Sequence, residues 1–361
     1  MHRKTSKLKR YLRRLTTLAL VFPAACYLSA CEQTARDYNY SIFTFGTLID
    51  ITIYDADEDR ANTAFEKLQK DFDDYHQHWS PWTDGDLARL NEAIAKGSTD
   101  IAVPAHLLPI IKTSILLSEQ SNNHFNPTIG RLINLWQFHK HEEADIKPPD
   151  DKLIQLLLRK NPQMSDLFID QKNQLTSANP AVALNFGAFA KGYAIALEIE
   201  QLKRLGIRNA VINAGGDLSV IGQHGDRAWN IGIRDPRNKQ ILASVEVKNN
   251  ESVFTSGDYE RSYRYQGQRY HHILDPATGY PTTDIQSVTI IHSDAGLADA
   301  AATAVFVAGS EHWLETVKNM GVRYAMLVDA KGDIHITAAM RDRIKFLNKS
   351  PTSHIFVSEV L

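Results

Sequence analysis

Residues Thr255–Pro281 read TSGDYERSYRYQGQRYHHILDPATGYP, the densest run of chemically capable groups in the chain. Thr255, Ser256 and Gly257 are small residues that let backbone come close to a ligand. Asp258, Glu260 and Arg261 follow at once. Tyr263 and Tyr265, then Gln268–Tyr270, alternate about Gly267 and predict two short strands joined by a turn. The run closes on His271, His272, Asp275 and the turn residues Pro276 to Pro281. A histidine at a strand end, beside an aspartate and a rigid turn, is placed for proton transfer, because its free pKa lies near neutrality. The same residues also suit a polar hairpin whose histidine is held by structural hydrogen bonds.

A second stretch adds weight to the chemical reading. Ala298-Asp-Ala-Ala-Ala-Thr-Ala304 opens an apolar helix predicted over Leu297–Val307. Asp299 and Thr303 are four apart, so their oxygens share one helical face. A hard divalent cation such as magnesium takes such oxygens and usually brings a substrate phosphate with it. An aspartate in a first helical turn also serves as a cap or dipole partner.

Several further motifs follow in a fixed order: FGT at Phe45–Thr47, SPW at Ser80–Trp82 with DLARLN to Asn91, and FNPTIGRLINLWQF at Phe125–Phe138. FGAFAKGYA at Phe186–Ala194, NAGGD at Asn213–Asp217 and IGIRDP at Ile231–Pro236 precede the two stretches above. From about Phe43 to Val328 the chain thereby resembles the ApbE family, flavin transferases that move FMN from FAD onto a protein threonine. The resemblance implies a compact two-layer α+β body, T-fold-like, with FAD in a cleft. The interspersed strands and helices point to the same α+β class.

The resemblance also assigns roles. Phe45 becomes a wall against the flavin, and Trp82 stands where relatives often carry a tyrosine that stacks on the isoalloxazine ring. Indole does this with more area. Asn185, Lys191, Thr255, Ser256, Gly257 and Asp258 fall on the FAD side. The Ala188 carbonyl joins Asp299 and Thr303 on Mg²⁺, and His272 becomes the catalytic base. Lys191 has a reading of its own as well. It lies in the first turn of a helix predicted over Ala188–Leu205, where a cation opposes the dipole, and that cost suggests an anionic partner. The chain departs from the family pattern at Asn126, Asn185 and Ala196, where acids are usual. Asn126 still suits a cap.

The chain has 361 residues and 43% hydrophobic content, enough for one large domain or two modest ones with a real core. A net charge of -2 with 23% charged residues excludes a basic nucleic-acid binder and a disordered polyampholyte. Residues 1–30 hold Arg3, Lys4, Lys7, Lys9, Arg10, Arg13 and Arg14 and no acid, followed by the mostly apolar Leu15–Leu28. These are the regions of a bacterial signal peptide, and Leu28-Ser-Ala-Cys31 resembles a lipobox. Acylation of Cys31 would anchor the mature chain to a membrane surface without a span. Removing the seven basic groups takes the net charge from -2 to -9. The expected organisation is a signal peptide at 1–30, a tether at 31–42, the transferase domain at 43–339 and a C-terminal extension at 340–361. The expected location is the bacterial cell envelope, facing the periplasm, with the inner membrane favoured over the outer.

Other elements read plainly. Phe43–Tyr54, Val182–Phe186 and Asn209–Val220 are each expected as a strand, and Asp59–His78 as a helix. His139–Asp151 is a charged, exposed linker. The function implied is Mg²⁺-dependent transfer of FMN from FAD to a threonine or serine of a redox protein, with AMP leaving. Two alternatives stay open at this point: an FAD pyrophosphatase giving FMN and AMP, and a flavin-binding lipoprotein without turnover.

Overall fold

Alternation along Thr47–Tyr54 puts Ile49, Ile51 and Ile53 on one face, each 0–1% exposed, while their neighbours stay polar or half-buried. That pattern demands a covered face, and the computed structural model supplies it. It describes residues 36–138, 146–347 and 353–361. Asp37–Leu361 forms one compact unit. The signal-peptide stretch, Cys31 and residues 139–145 of the expected linker lie outside the described residues.

Nine strands form the main sheet: β1 (Asp37–Thr44), β2 (Thr47–Tyr54), β3 (Ala210–Ala214), β4 (Asp217–Ile221), β5 (Ser252–Gly257), β6 (Ile285–His292), β7 (Tyr324–Asp329), β8 (Ile334–Ile336) and β9 (Ile355–Val357). Their order in space is their order in the chain. Every neighbouring pair is antiparallel except β8 and β9. Burial along the strands reports the layers. β2 alternates, as a strand covered on one face does, whereas β4 is buried throughout and β6 nearly so.

One face of the sheet carries helices α1 (Glu58–Trp79), α2 (Asp86–Ala95), α3 (Ala190–Arg204) and α4 (Ala295–Asn319). Leu68 and Phe72 of α1, Ile195 of α3 and Val305 of α4 share a core with Ile51, Ile212, Val288 and Ile290. α1 begins where Asp57 accepts the Arg60 N–H at 2.8 Å, and it carries acids in its first turn and histidines in its last. The opposite face is covered in part by a small antiparallel sheet, Trp229–Arg234, Ile241–Val247 and Lys345–Phe346. The expected two-layer body is present, and this small sheet covers part of its second face. Among the described residues, no helix is long and apolar enough to cross a membrane.

Several expectations change in detail. Phe43–Tyr54 and Asn209–Val220 are hairpins, not single strands. Phe45 and Gly46 have φ of 50° and 73°, and Gly215 and Gly216 have 67° and 108°, so each pair reverses the chain in two residues. Val182–Phe186 makes only an isolated bridge between Ala183 and Ile129, because its amides bond mostly to loop carbonyls. The expected tether 31–42 is cut short, since β1 starts at Asp37 and pairs with β2 along its length. Of the expected extension 340–361, the described residues 340–347 and 353–361 are part of the body. Met340 and Ile344 enter the second core, and Ile355–Val357 adds a parallel strand beside β8.

Candidate active site

The site is built where α3 meets α4. Alanines 295, 298, 300, 301, 302 and 304 are all buried, and their small side chains let α3 come close. Gly192 is the point of contact. A Cβ there would lie 2.4 Å from the Ala295 carbonyl oxygen and 2.6 Å from the Asp299 Cβ. Only glycine permits this approach, and the approach lets the Gly192 N–H donate to Asp299 Oδ2 at 2.8 Å. The positive end of α3 thus faces a carboxylate on α4.

Three more segments converge on that point. Lys191 reaches across to Asp217 Oδ2 on β4. The other Asp217 oxygen accepts the Thr255 N–H of β5 at 2.8 Å. The Thr303 hydroxyl lies 3.4 Å from the Ala188 carbonyl, to which it donates, and 3.3 Å from Ser256 Oγ. Asp299, Thr303, Ala188, Ser256, Asp217 and Lys191 therefore form one connected group, although they lie far apart in the chain.

Charge in this group is unbalanced. Burial disfavours the Lys191 ammonium, but Asp217, Asp299 and Glu260 outweigh it and raise the lysine's pKa. Burial raises the Asp299 carboxyl well above the usual carboxylate range, Asp217 and Glu260 add to this, and Lys191 and the Gly192 N–H act against it. Two buried carboxylates, Asp217 and Asp299, face one lysine in a poorly solvated place, while Glu260 stands exposed at the rim with Arg261 and Arg234 acting on it. One helical turn from Asp299, the Thr303 hydroxyl meets the Ala188 carbonyl, so a carboxylate, a hydroxyl and a backbone carbonyl, all hard oxygens, are gathered at the junction. This donor set fits a small, hard divalent cation such as Mg²⁺.

The two adjacent histidines have different situations. His271 is buried; its Nε2 donates to the Thr282 carbonyl at 2.6 Å and its Nδ1 accepts the Ile273 N–H at 3.3 Å. It is spent on the turn. His272 is held through its backbone N–H, which donates to the Arg261 carbonyl at 3.0 Å. Its Nδ1 is enclosed and has no hydrogen-bond partner. Desolvation, then Arg261, His271 and Lys191, push the imidazole pKa down to about 3, so the ring is neutral at physiological pH.

The ApbE family model matches residues 45–327. This chain belongs to the ApbE family. It is similar to an FAD:protein FMN transferase of Rhodobacter capsulatus, 37% identical over 314 residues, which cover 86% of this chain and 59% of the relative. A Treponema pallidum FAD:protein FMN transferase is 29% identical, with 90% of this chain and 93% of the relative covered. Among solved structures, the ApbE protein of Thermotoga maritima superposes with a TM-score of 0.77 at 30% identity, covering 87% of this chain and all 100% of that one. The flavinyl transferase ApbE of Pseudomonas stutzeri, in its apo form, gives 0.73 at 25% identity over 88% and 98%.

Within this ApbE-family body, the remaining expected residues divide by role. Asn185 accepts the Gly187 N–H at 2.9 Å and so shapes the entry to α3. Asn126 accepts the Thr128 N–H at 3.0 Å, while its Nδ2 donates to the Pro162 carbonyl at 3.0 Å, a bond an aspartate could not make. It caps a turn rather than a helix. Ala196 packs against the main core. Phe45 holds a positive φ, uncommon for an aromatic residue, and sets its ring edge-on to Phe72 and His76 of α1. Trp82, on the turn between α1 and α2, is 46% exposed, which leaves ring surface for stacking.

Asp258, expected on the FAD side, is drawn into ion pairs. Arg237 grips its carboxylate with two bonds of 2.8 and 2.7 Å, and Arg269 lies 3.2 Å away. Its charge is already paired, and it holds the hairpin in place. Gly257 beside it is needed because a Cβ would meet the Tyr259 ring at 2.5 Å. Two contributors escaped the sequence reading. Asp217 was seen only as the end of a glycine motif, and its signal is an acid placed directly after a two-glycine turn. Glu260 sits in the quoted stretch but gave no hint of its proximity to Lys191.

Proposed function

We propose that the chain transfers FMN from FAD to a threonine or serine hydroxyl of a target protein and releases AMP. The observation that carries this reading is the all-oxygen group of Asp299, Thr303 and Ala188, crowded by surplus acid and set near a neutral, under-bonded His272. The names of the relatives support the same activity. Asp299, Thr303 and the Ala188 carbonyl would hold Mg²⁺. When bound, the ion neutralises charge on the FAD pyrophosphate.

The chain's own residues do the rest. Lys191, fixed by Asp217, places positive charge beside the pyrophosphate. Ser256 and the backbone of Thr255 line the same floor. His272 accepts the proton of the incoming hydroxyl through its ring nitrogen. The hydroxyl oxygen forms a bond to the FMN phosphorus as the bond to the bridging oxygen breaks, and AMP leaves with that electron pair. An imidazole pushed to about 3 is a weak base in the empty cleft. The negative pyrophosphate offsets the field of Arg261 and Lys191 and raises its basicity when the proton must move.

The acceptor is a threonine or serine in an exposed segment of a periplasm-facing redox protein. Acylated Cys31 would tether the enzyme beside such a partner on the envelope membrane. A Cys31→Ser chain recovered wholly in the soluble fraction supports the anchor; unchanged membrane recovery contradicts it. The activity is tested by incubating the chain from Glu32 onward with FAD, Mg²⁺ and an acceptor domain, then recording the acceptor's intact mass. A covalent FMN increment that disappears with EDTA is the expected result. Unchanged acceptor with free AMP would instead mean hydrolysis, and unchanged acceptor with intact bound FAD would mean a carrier.

A further inference from the structure

His78 lies in the last turn of α1, Asp86 is the first residue of α2, and His106 precedes the helix Leu108–Gln120. Their ligand atoms all lie within 4.8 Å of one another. His78 Nδ1 is 2.8 Å from Asp86 Oδ2, and His106 Nε2 is 2.9 Å from the same oxygen. His78 Nδ1 is enclosed, yet this short contact lacks the alignment of a hydrogen bond and leaves the atom without a partner. The second oxygen, Oδ1, is taken by Arg89 at 2.5 Å. Two imidazoles therefore point at one carboxylate oxygen, with ring centroids 4.8 Å apart. Protonating both would set two cations side by side. One divalent ion among two neutral imidazoles and a carboxylate satisfies every atom.

We propose that His78, Asp86 and His106 form a second metal site, for a borderline transition ion of the zinc class, which pins the turn Ser80–Gly85 that carries Trp82. Imidazole nitrogen suits such ions, unlike the all-oxygen group at Asp299. With metal–ligand distances of about 2.0–2.2 Å, tetrahedral ligands stand roughly 3.3 Å apart, so the two histidine–aspartate contacts open by about half an ångström while the two ring nitrogens, within 4.8 Å of each other, draw together toward the same spacing. Three protein ligands leave a position for water. The half-exposed histidines give the ion a path in, as their side chains are 39% and 44% exposed. The ion would join three helical segments at the base of the Trp82 turn. Arg89, beside the carboxylate, lowers the affinity without blocking Oδ2.

The full chain is tested with Zn²⁺ against a chromophoric chelator, with excess Mg²⁺ present to fill the hard-oxygen group. One equivalent bound in competition with the chelator is expected. Loss of an outer-shell partner already costs about 10–100-fold in affinity, so His106→Ala and Asp86→Asn should each weaken binding at least about a hundredfold. Co²⁺ should give visible absorption bands of a low-coordinate nitrogen site in the parent chain and not in either variant. Zn²⁺ should raise the thermal midpoint of the parent chain alone. Failure to compete with the chelator, or equal binding by parent and variants, overturns the proposal.

Discussion

The hairpin stretch Thr255–Pro281 and the α3–α4 junction make opposite uses of polar groups. The hairpin is rich in them, and most are consumed by structure. Asp258 is paired with two arginines, His271 is bonded at both ring nitrogens, and Asp275 accepts the Ala277 N–H at 2.8 Å. Behind them Trp136 donates to the Gly279 carbonyl at 2.8 Å. The junction is almost bare in sequence, mostly alanine and glycine, yet it buries a carboxylate with too few partners. Chemical capacity follows unsatisfied groups, and those are created by close packing more than by density of polar residues.

The strongest way to break this contrast is to remove the junction's carboxylate. Asp299→Ala should lower FMN transfer by about a thousandfold or more, the several kcal/mol a metal-held charge supplies. Its thermal midpoint should hold or rise, because an under-paired buried charge is gone. Intact-mass assays beside thermal unfolding test this, and retention of even a tenth of the activity would contradict it. The histidine pair sharpens the comparison inside the hairpin. His272→Ala should cost about 10²–10⁴ in single-turnover rate. His271→Ala should instead cost about 1–3 kcal/mol in denaturant unfolding, with the folded fraction still turning over.

Gly192→Ala comes next. The added methyl forces α3 from α4, and overpacking of this kind costs about 1–3 kcal/mol. Weaker Mg²⁺ binding should accompany the lost stability, and unchanged values of both would show that the contact is not needed. The smallest effect is on pH dependence. His272 has a folded pKa of about 3 against an ordinary 6.5, so between these values the unfolded chain binds the extra proton. Stability from this residue is complete above the upper value and falls as pH drops toward the lower one. His272→Gln should flatten that decline in urea midpoints taken from pH 7 down to about pH 4.5.

Much of the frame was legible because patterning and turn chemistry agree. The α1 helix, the Gln266–Gly267 hairpin and the break after Val307, where Gly309 leaves helical geometry at φ 73°, all follow local rules. The tight turn at Phe45 was missed because positive φ at a phenylalanine leaves no mark in composition, whereas the Gly215–Gly216 pair carries a hairpin signal that the single-strand reading of Asn209–Val220 passed over. At the site, the helical spacing of Asp299 and Thr303 pointed to an oxygen pair, while Ala188 entered by resemblance alone, since a carbonyl ligand has no side-chain signature. The dipole argument gave Lys191 an anionic partner and pointed to a phosphate; in the folded chain the lysine is paired with Asp217, brought across from β4. Pairings between distant segments, such as Lys191–Asp217 or His78–Asp86–His106, depend on tertiary contact and have no local spacing to betray them.

The central proposal is that the junction, and not the polar hairpin, holds the cation. Mg²⁺ affinity measured by calorimetry in two isosteric variants, Asp299→Asn and Asp258→Asn, tests it most directly. Loss of binding in the first with near-parent affinity in the second is the predicted result. Binding that survives Asp299→Asn and is lost with Asp258→Asn would move the reaction centre to the hairpin and contradict the account.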